Sequence, residues 1–286
     1  VPRVPPQALF VLGAISQYVG SAVAVLLFDR VPAAGVAWLR VLGAAVVLVA
    51  WRRPWVSAWT ARRLWLVAAF GATLGLMNLT FYLSIDRLPL GTAVAIEFAG
   101  PIAVAALGSR TRRDAGALAL AVAGVLALAD VHVSGSPGGV ALALAAGVLW
   151  ATYIVLGHRV AADAGIRPQD GLAAGMAIGA ALLAPALVGQ ASPAFDDAVL
   201  LALCLGVGVF SSVVPYGLEQ LAMRRLPRAR FALLLALLPA TAAVVGAIIL
   251  GQVPSGIEAV GIALVVAAAS LRSHAEENVS AAPRGS

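Results

Sequence analysis

The chain has 286 residues, of which 62% are apolar and only 11% charged, and its net charge of +6 rests on arginine without any lysine. A soluble domain is closer to half apolar and a quarter charged, so this chain has too little polar surface to cover itself in water, and the surplus must face lipid. The single cysteine, Cys204, excludes an internal disulfide, and the scattered His132, His158 and His274 give no metal-ligand cluster, so neither a metal nor a cofactor is expected.

Apolar runs long enough to cross a bilayer as helices recur along nearly the whole chain. They predict ten spans, at about 8–28, 33–51, 64–85, 89–109, 114–130, 138–157, 171–189, 198–223, 228–250 and 255–272. Barrel strands are shorter and alternate apolar with polar residues, which these runs do not. The first run has the outline of a signal peptide, with Arg3 ahead of it and Ala22-Val23-Ala24 within it. It is too long for a signal core, and Gln17, Tyr18 and Gly20 suit a helix packed among others. The end of the chain, 273–286, is polar and rich in Ala, Ser and Pro, and reads as a disordered cytoplasmic tail.

The arginines sort by side. Arg3, Arg52, Arg53, Arg62, Arg63, Arg110, Arg112, Arg113, Arg159, Arg167, Arg224, Arg225, Arg228, Arg230, Arg272 and Arg284 fall on one side of a ten-span arrangement. Only Arg30 and Arg87 fall on the other, and Arg40 lies inside a span. Basic residues favour cytoplasmic loops, so both termini are expected in the cytoplasm. Short basic loops between spans carry this topological signal, and nucleic acid is not an expected partner.

The two halves resemble one another in register. VPAAGVAWLRVLGA from Val31 matches RPQDGLAAGMAIGA from Arg167, and DRLPLGTAVAIEFAGPIAVAALG from Asp86 matches RRLPRARFALLLALLPATAAVVG from Arg224. Both members of the second pair place one proline twelve residues before another, Pro89 and Pro101 against Pro227 and Pro239. Five helices per half is an odd number, so the second half enters the membrane upside down. The expected fold is therefore all-α and integral to the membrane, ten helices in two inverted five-helix repeats, 1–132 and 133–272. Such repeats rock about a site at their interface and are a carrier architecture.

The stretch MNLTFYLSIDRLPLGTAVAIEFAGPIAVAALGSR, Met77 to Arg110, closely resembles the third and fourth helices of the threonine/homoserine exporter branch of the EamA family, in the drug/metabolite transporter superfamily. AAGVAWLRVL from Ala33, GVLWATYIVLGHRVA and SSVVPYGLEQLAMRRLPRARF resemble that branch as well. The resemblance implies export of small amino acids across the cytoplasmic (plasma) membrane of a bacterium. Two positions depart from the pattern: Leu238 and Gln252 stand where branch relatives often carry Glu. The expected partners are then an amino acid, the bilayer and a proton as coupling ion, and a homodimer is compatible with the reading. A broader metabolite or drug exporter is the alternative. An intramembrane enzyme is more remote, because no protease-like arrangement lies at membrane depth, and so is a channel, which two inverted repeats with an asymmetric polar lining do not favour; without a Walker motif, ATP hydrolysis is not expected.

Ionisable groups inside a bilayer usually face a cavity or one another. Arg40 and Glu97 each lie seven or eight residues from one end of their spans, roughly 11–12 Å deep, and so at a similar level. They could receive the carboxylate and ammonium of an amino acid, or form a structural ion pair. Glu97 precedes Gly100-Pro101 by one turn, and proline breaks helical hydrogen bonding. These two residues and Pro239 are the candidate bends, and Glu97 is the candidate proton carrier. Further polar or aromatic residues at helical spacing complete the candidate binding set: Gln17, Asn78, Tyr82, Trp150, Tyr153, Ser212 and Tyr216. Glu219, nearer the basic end, is expected to pair with Arg224 or Arg225.

Overall fold

The computed structural model describes residues 5–54, 59–108, 112–133, 136–223 and 234–281. The regular elements among them are helices: α1 (Pro6–Leu27), α2 (Ala33–Arg52), α3 (Ala61–Ile85), α4 (Leu90–Glu97), α5 (Ala99–Gly108), α6 (Arg112–Val133), α7 (Pro137–Ala162), α8 (Pro168–Leu187), α9 (Ser192–Phe195), α10 (Ala198–Gly208), α11 (Val214–Met223), α12 (Leu238–Leu250) and α13 (Gly256–Ala281). A π-turn, Val209–Val213, joins α10 to α11. Among the described residues six helices are long and apolar enough to cross a membrane, and four more apolar stretches are shorter. The absence of strands among the described residues fits a lipid environment, where a helix satisfies its own backbone bonds.

The helix ends follow local chemistry. Pro6, Pro137 and Pro168 open their helices, where a missing N–H costs nothing. Thr60 accepts the Arg63 N–H, and Asp197 accepts those of Val199 and Leu200. Ser255 and Glu258 cap each other's backbone N–H groups at the start of α13, in the pattern of a capping box. Gly251 ends α12 at φ +67°, a left-handed geometry that suits glycine.

Two departures from the expected spans have identifiable causes. The span that begins at Leu90 is interrupted at Phe98, because Pro101 cannot donate to the Glu97 carbonyl four residues earlier. The last helix continues to Ala281, through most of the segment read as a disordered tail; its alanines and glutamates favour extension of a helix already nucleated. Pro227 and the arginines from 224 to 230 lie outside the described residues.

Each helix of the N-terminal half packs chiefly against helices of the C-terminal half. Helix α1 lies on α11, the π-turn and α12; α2 on α8 and α10; α3 on α7 and α8; α4 on α7 and α12; α5 on α7; and α6 on α13. Small residues permit this closeness. A Cβ at Gly100 would overlap the Gly147 carbonyl, and one at Gly71 would overlap that of Gly175, so in both places backbone meets backbone.

Ion pairs join the halves at both ends. At the arginine-rich end Asp170, whose side chain is wholly buried, accepts Arg52 Nε and Nη2 at 3.2 Å and Arg167 Nε at 2.6 Å. Nearby, Arg63 Nε lies 3.0 Å from Asp163. The N–H of Gly165, with help from Arg63, holds the Asp163 carboxyl below its ordinary value. At the opposite end Arg30 pairs with Asp197 at 3.0 Å.

Candidate solute-binding site

Arg40 and Glu97 are both buried, 7% and 8% exposed, in the interior between the two halves. Glu97 is the last residue of α4, immediately before the interruption at Phe98. Gly147 of α7 presses against its carbonyl; a Cβ on that glycine would stand 2.7 Å from the Glu97 oxygen. The Glu97 carboxylate meets no hydrogen-bond or ion-pair partner among the described residues. It feels the charge of Arg40, yet no ion pair joins the two within 4 Å.

Arg40 is held instead by the other half. Its Nη2 donates to the Ser211 carbonyl at 3.1 Å, and its guanidinium carbon lies 5.1 Å from the centre of the Tyr82 ring. That carbonyl is open because residue 215 is proline. In an α-helix the donor to Ser211 would be the N–H of residue 215, and in a π-helix the same N–H would serve Phe210. Pro215 can supply neither. The Phe210 carbonyl takes the Ser16 hydroxyl of α1 at 2.7 Å, while the Val214 N–H reaches back to Val209.

Around the guanidinium three buried polar atoms have no hydrogen-bond partner: Arg40 Nε, Tyr82 Oη and Ser211 Oγ. They come from α2, α3 and the π-turn and face one another: the Tyr82 hydroxyl has Ser211 and Arg40, as well as Ser21 of α1, as polar neighbours, none of them in well-aligned hydrogen-bond geometry. Buried polar groups without partners are costly, and a cluster of donors beside a cation suits an anionic group such as a carboxylate.

The remaining candidates divide. Ser212 is buried beside Ser211 on the π-turn, and Gln17 is half-buried on α1. The Trp150 ring packs edge-on against Phe98, next to Glu97, with centroids 5.1 Å apart. Tyr153 and Tyr216 share a 2.7 Å hydrogen bond, and Tyr153 stacks on Phe70, within the apolar cluster toward the arginine-rich end. Asn78 spends its amide on the Leu74 carbonyl of its own helix. Pro101 lies just beyond the interruption that begins at Phe98, and Pro239 opens α12 after a turn at Ala236 and Leu237. The Glu219 side chain and Arg224 and Arg225 lie outside what is described.

Sequence reasoning missed Ser211, Ser16 and Pro215. The signal was present in Ser211-Ser212-Val213-Val214-Pro215, a proline four residues after a serine inside a span. It also missed a cavity of about 190 Å³ at the arginine-poor end, lined by Thr92, Ala243, Gln252 and Glu258 among others. There the Gln252 side chain accepts the Leu90 N–H at 2.9 Å, and Thr92 donates to Glu258 at 3.1 Å. Gln252 thus caps the first turn of α4, the helix that ends in Glu97.

Known proteins resemble this chain over most of its length. The threonine/homoserine exporter RhtA of Salmonella typhimurium strain LT2 is 39% identical over 254 residues, covering 87% of this chain and 84% of the relative. RhtA of Escherichia coli K12 is 38% identical over the same extent. A protein known from its crystal structure aligns over 94% of this chain and 99% of its own, with a TM-score of 0.56 at 19% identity, a likeness of fold. The model of the EamA-like transporter family matches residues 137–273. With these relatives and a bundle of apolar helices around a buried polar cluster, the chain is a multi-pass membrane protein that belongs to the EamA-like transporter family.

Proposed function

We propose that this protein exports small hydroxy amino acids such as threonine or homoserine, by alternating access and in exchange for protons. The observation that carries the reading is the separation of two buried opposite charges. Arg40 offers a cation beside unpartnered Tyr82 and Ser211 atoms, and Glu97 offers an unpaired carboxylate in the same interior. A zwitterion would answer both: its carboxylate to Arg40, its ammonium to Glu97. Glu97 is also the proton carrier, since it alternates between a solute ammonium and a proton at a helix interruption. The relatives named as threonine/homoserine exporters support the substrate class.

The architecture we propose is ten spans in two inverted repeats with both termini cytoplasmic. Six long helices and four shorter apolar ones support the count. The packing supports the symmetry. If α1, α2, α3, α4–α5 and α6 are matched with α7, α8, α10–α11, α12 and α13, the contact of α1 with α11 becomes that of α7 with α3. That of α2 with α10 becomes that of α8 with α3, and α2–α8, α4–α12 and α6–α13 map onto themselves. The ion pairs at Asp170 and Asp163 and the bonds at Gln252 and Glu258 close opposite ends, and alternating access would open them in turn.

Counterflow in reconstituted vesicles tests the function. Vesicles loaded with unlabelled threonine should accumulate labelled threonine, and an imposed proton gradient should drive net movement. No exchange of threonine or homoserine by protein verified in the bilayer removes the substrate reading, and exchange insensitive to the gradient removes proton coupling.

A further inference from the structure

The π-turn has an asymmetry that the repeat does not require. Aligning Pro89 with Pro227 places Met77 opposite Pro215, so the N-terminal half has no proline at the matching position. The π-turn and the proline together leave two carbonyls, Phe210 and Ser211, without their regular helical donor: the Val214 N–H goes to Val209, and Pro215 has none. Both are taken by side chains of the other half, Ser16 at 2.7 Å and Arg40 at 3.1 Å. An open carbonyl away from water is costly, whether buried like that of Ser211 or on the outer face of the bundle like that of Phe210, so these acceptors hold whatever donor reaches them.

The surrounding backbone keeps that donor in place. A Cβ on Gly208 would overlap the Arg40 carbonyl, and one on Gly20 would overlap the Ser211 hydroxyl, so α2 and α1 both lie directly on this segment. Arg40 is therefore fixed at its backbone by Gly208, at one edge of its guanidinium by Ser211 and on one face by Tyr82. Its Nε remains buried and unpartnered.

We infer that Pro215 is a positioning residue for solute recognition: by withholding its N–H it leaves the Ser211 carbonyl open to anchor Arg40, and so fixes the selectivity for a solute carboxylate. This rests on Arg40 as the carboxylate's partner. An N–H at position 215 would compete for the Ser211 and Phe210 carbonyls, straighten the π-turn and release the guanidinium. The turnover machinery at Glu97, on a different helix, is untouched.

The experiment compares wild type, Pro215→Ala, Arg40→Gln and the double variant in reconstituted vesicles. Each is assayed with threonine and with threonine amide, which lacks the carboxylate. In Pro215→Ala the KM for threonine should rise about tenfold, the worth of one hydrogen bond to a charged group, with the maximal rate retained. The KM for the amide should stay unchanged, so the preference for threonine collapses. In the Arg40→Gln background Pro215→Ala should add nothing further. A Pro215→Ala protein with wild-type preference, or an effect equal for both solutes or fully additive with Arg40→Gln, overturns the inference. Pro215→Gly, which restores the N–H without a side chain, decides the question by the same criteria if the alanine variant fails to fold. Wild-type threonine transport by Arg40→Gln would instead overturn the recognition role of Arg40 itself.

Discussion

Replacing Glu97 by glutamine separates a functional acid from a structural one, because the change keeps shape and hydrogen bonding while removing charge and titration. Had Glu97 been salt-bridged to Arg40, the variant would leave a buried cation alone, at a cost of about 3–5 kcal/mol. The structure removes that penalty. Arg40 is already bonded to the Ser211 carbonyl and rests over Tyr82, and no ion pair joins it to Glu97. Glutamine at 97 should therefore change stability by less than about 1 kcal/mol, as expected where no partner is lost. At about 2–4 °C per kcal/mol for a domain of this order of size, the melting temperature should move by less than about 4 °C. Proton-driven threonine flux should nevertheless fall to background. Thermal unfolding in detergent and gradient-driven flux are to be measured on the same preparation. A fall of more than about 6 °C, the lower bound for a broken buried pair, would refute the structural reasoning. Normal gradient-driven flux would remove Glu97 from the mechanism.

Other expectations concern orientation and the two ends of the bundle. Cysteines introduced at Ser136 and Ser255 should react with an impermeant reagent added outside, whereas one at Ser57 should not; the reverse pattern rejects the orientation. Asp170→Asn withdraws charge from Arg52 and Arg167 at a wholly buried position, and should cost about 1–3 kcal/mol, read as a lower melting temperature. An unchanged melting temperature would show that this clasp contributes nothing. The Gly165 N–H, with help from Arg63, holds the Asp163 carboxyl below its ordinary value of 3.8, so these contacts stabilise the fold above that value and lose their effect as pH falls further. Any melting advantage of wild type over Asp163→Asn at pH 6 should therefore shrink below about pH 4, and an advantage that grows on acidification contradicts the sign.

Hydropathy alone located the helices because lipid imposes a one-dimensional rule: a run of apolar residues of sufficient length must be helical. Starts at Ala33, Pro137 and Ala198 were legible to within a residue, and Pro101 announced the interruption beside Glu97. Family membership was legible too, since Met77 to Arg110 keeps its motif residues in order. Counting residues from the span ends gave only an expected depth, the same for Arg40 and Glu97. Depth, however, is a single coordinate. Which side chains meet depends also on the angle around each helix axis and on where helices cross, and here those are set by close backbone approaches such as Gly208 on Arg40 and Gly147 on Glu97. Only the tertiary structure could show that Arg40 turns to a carbonyl opened by a proline 175 positions later, at Pro215, rather than to Glu97. The same holds for Gln252, which caps α4 through its amide oxygen, a role that needs an acceptor and no charge.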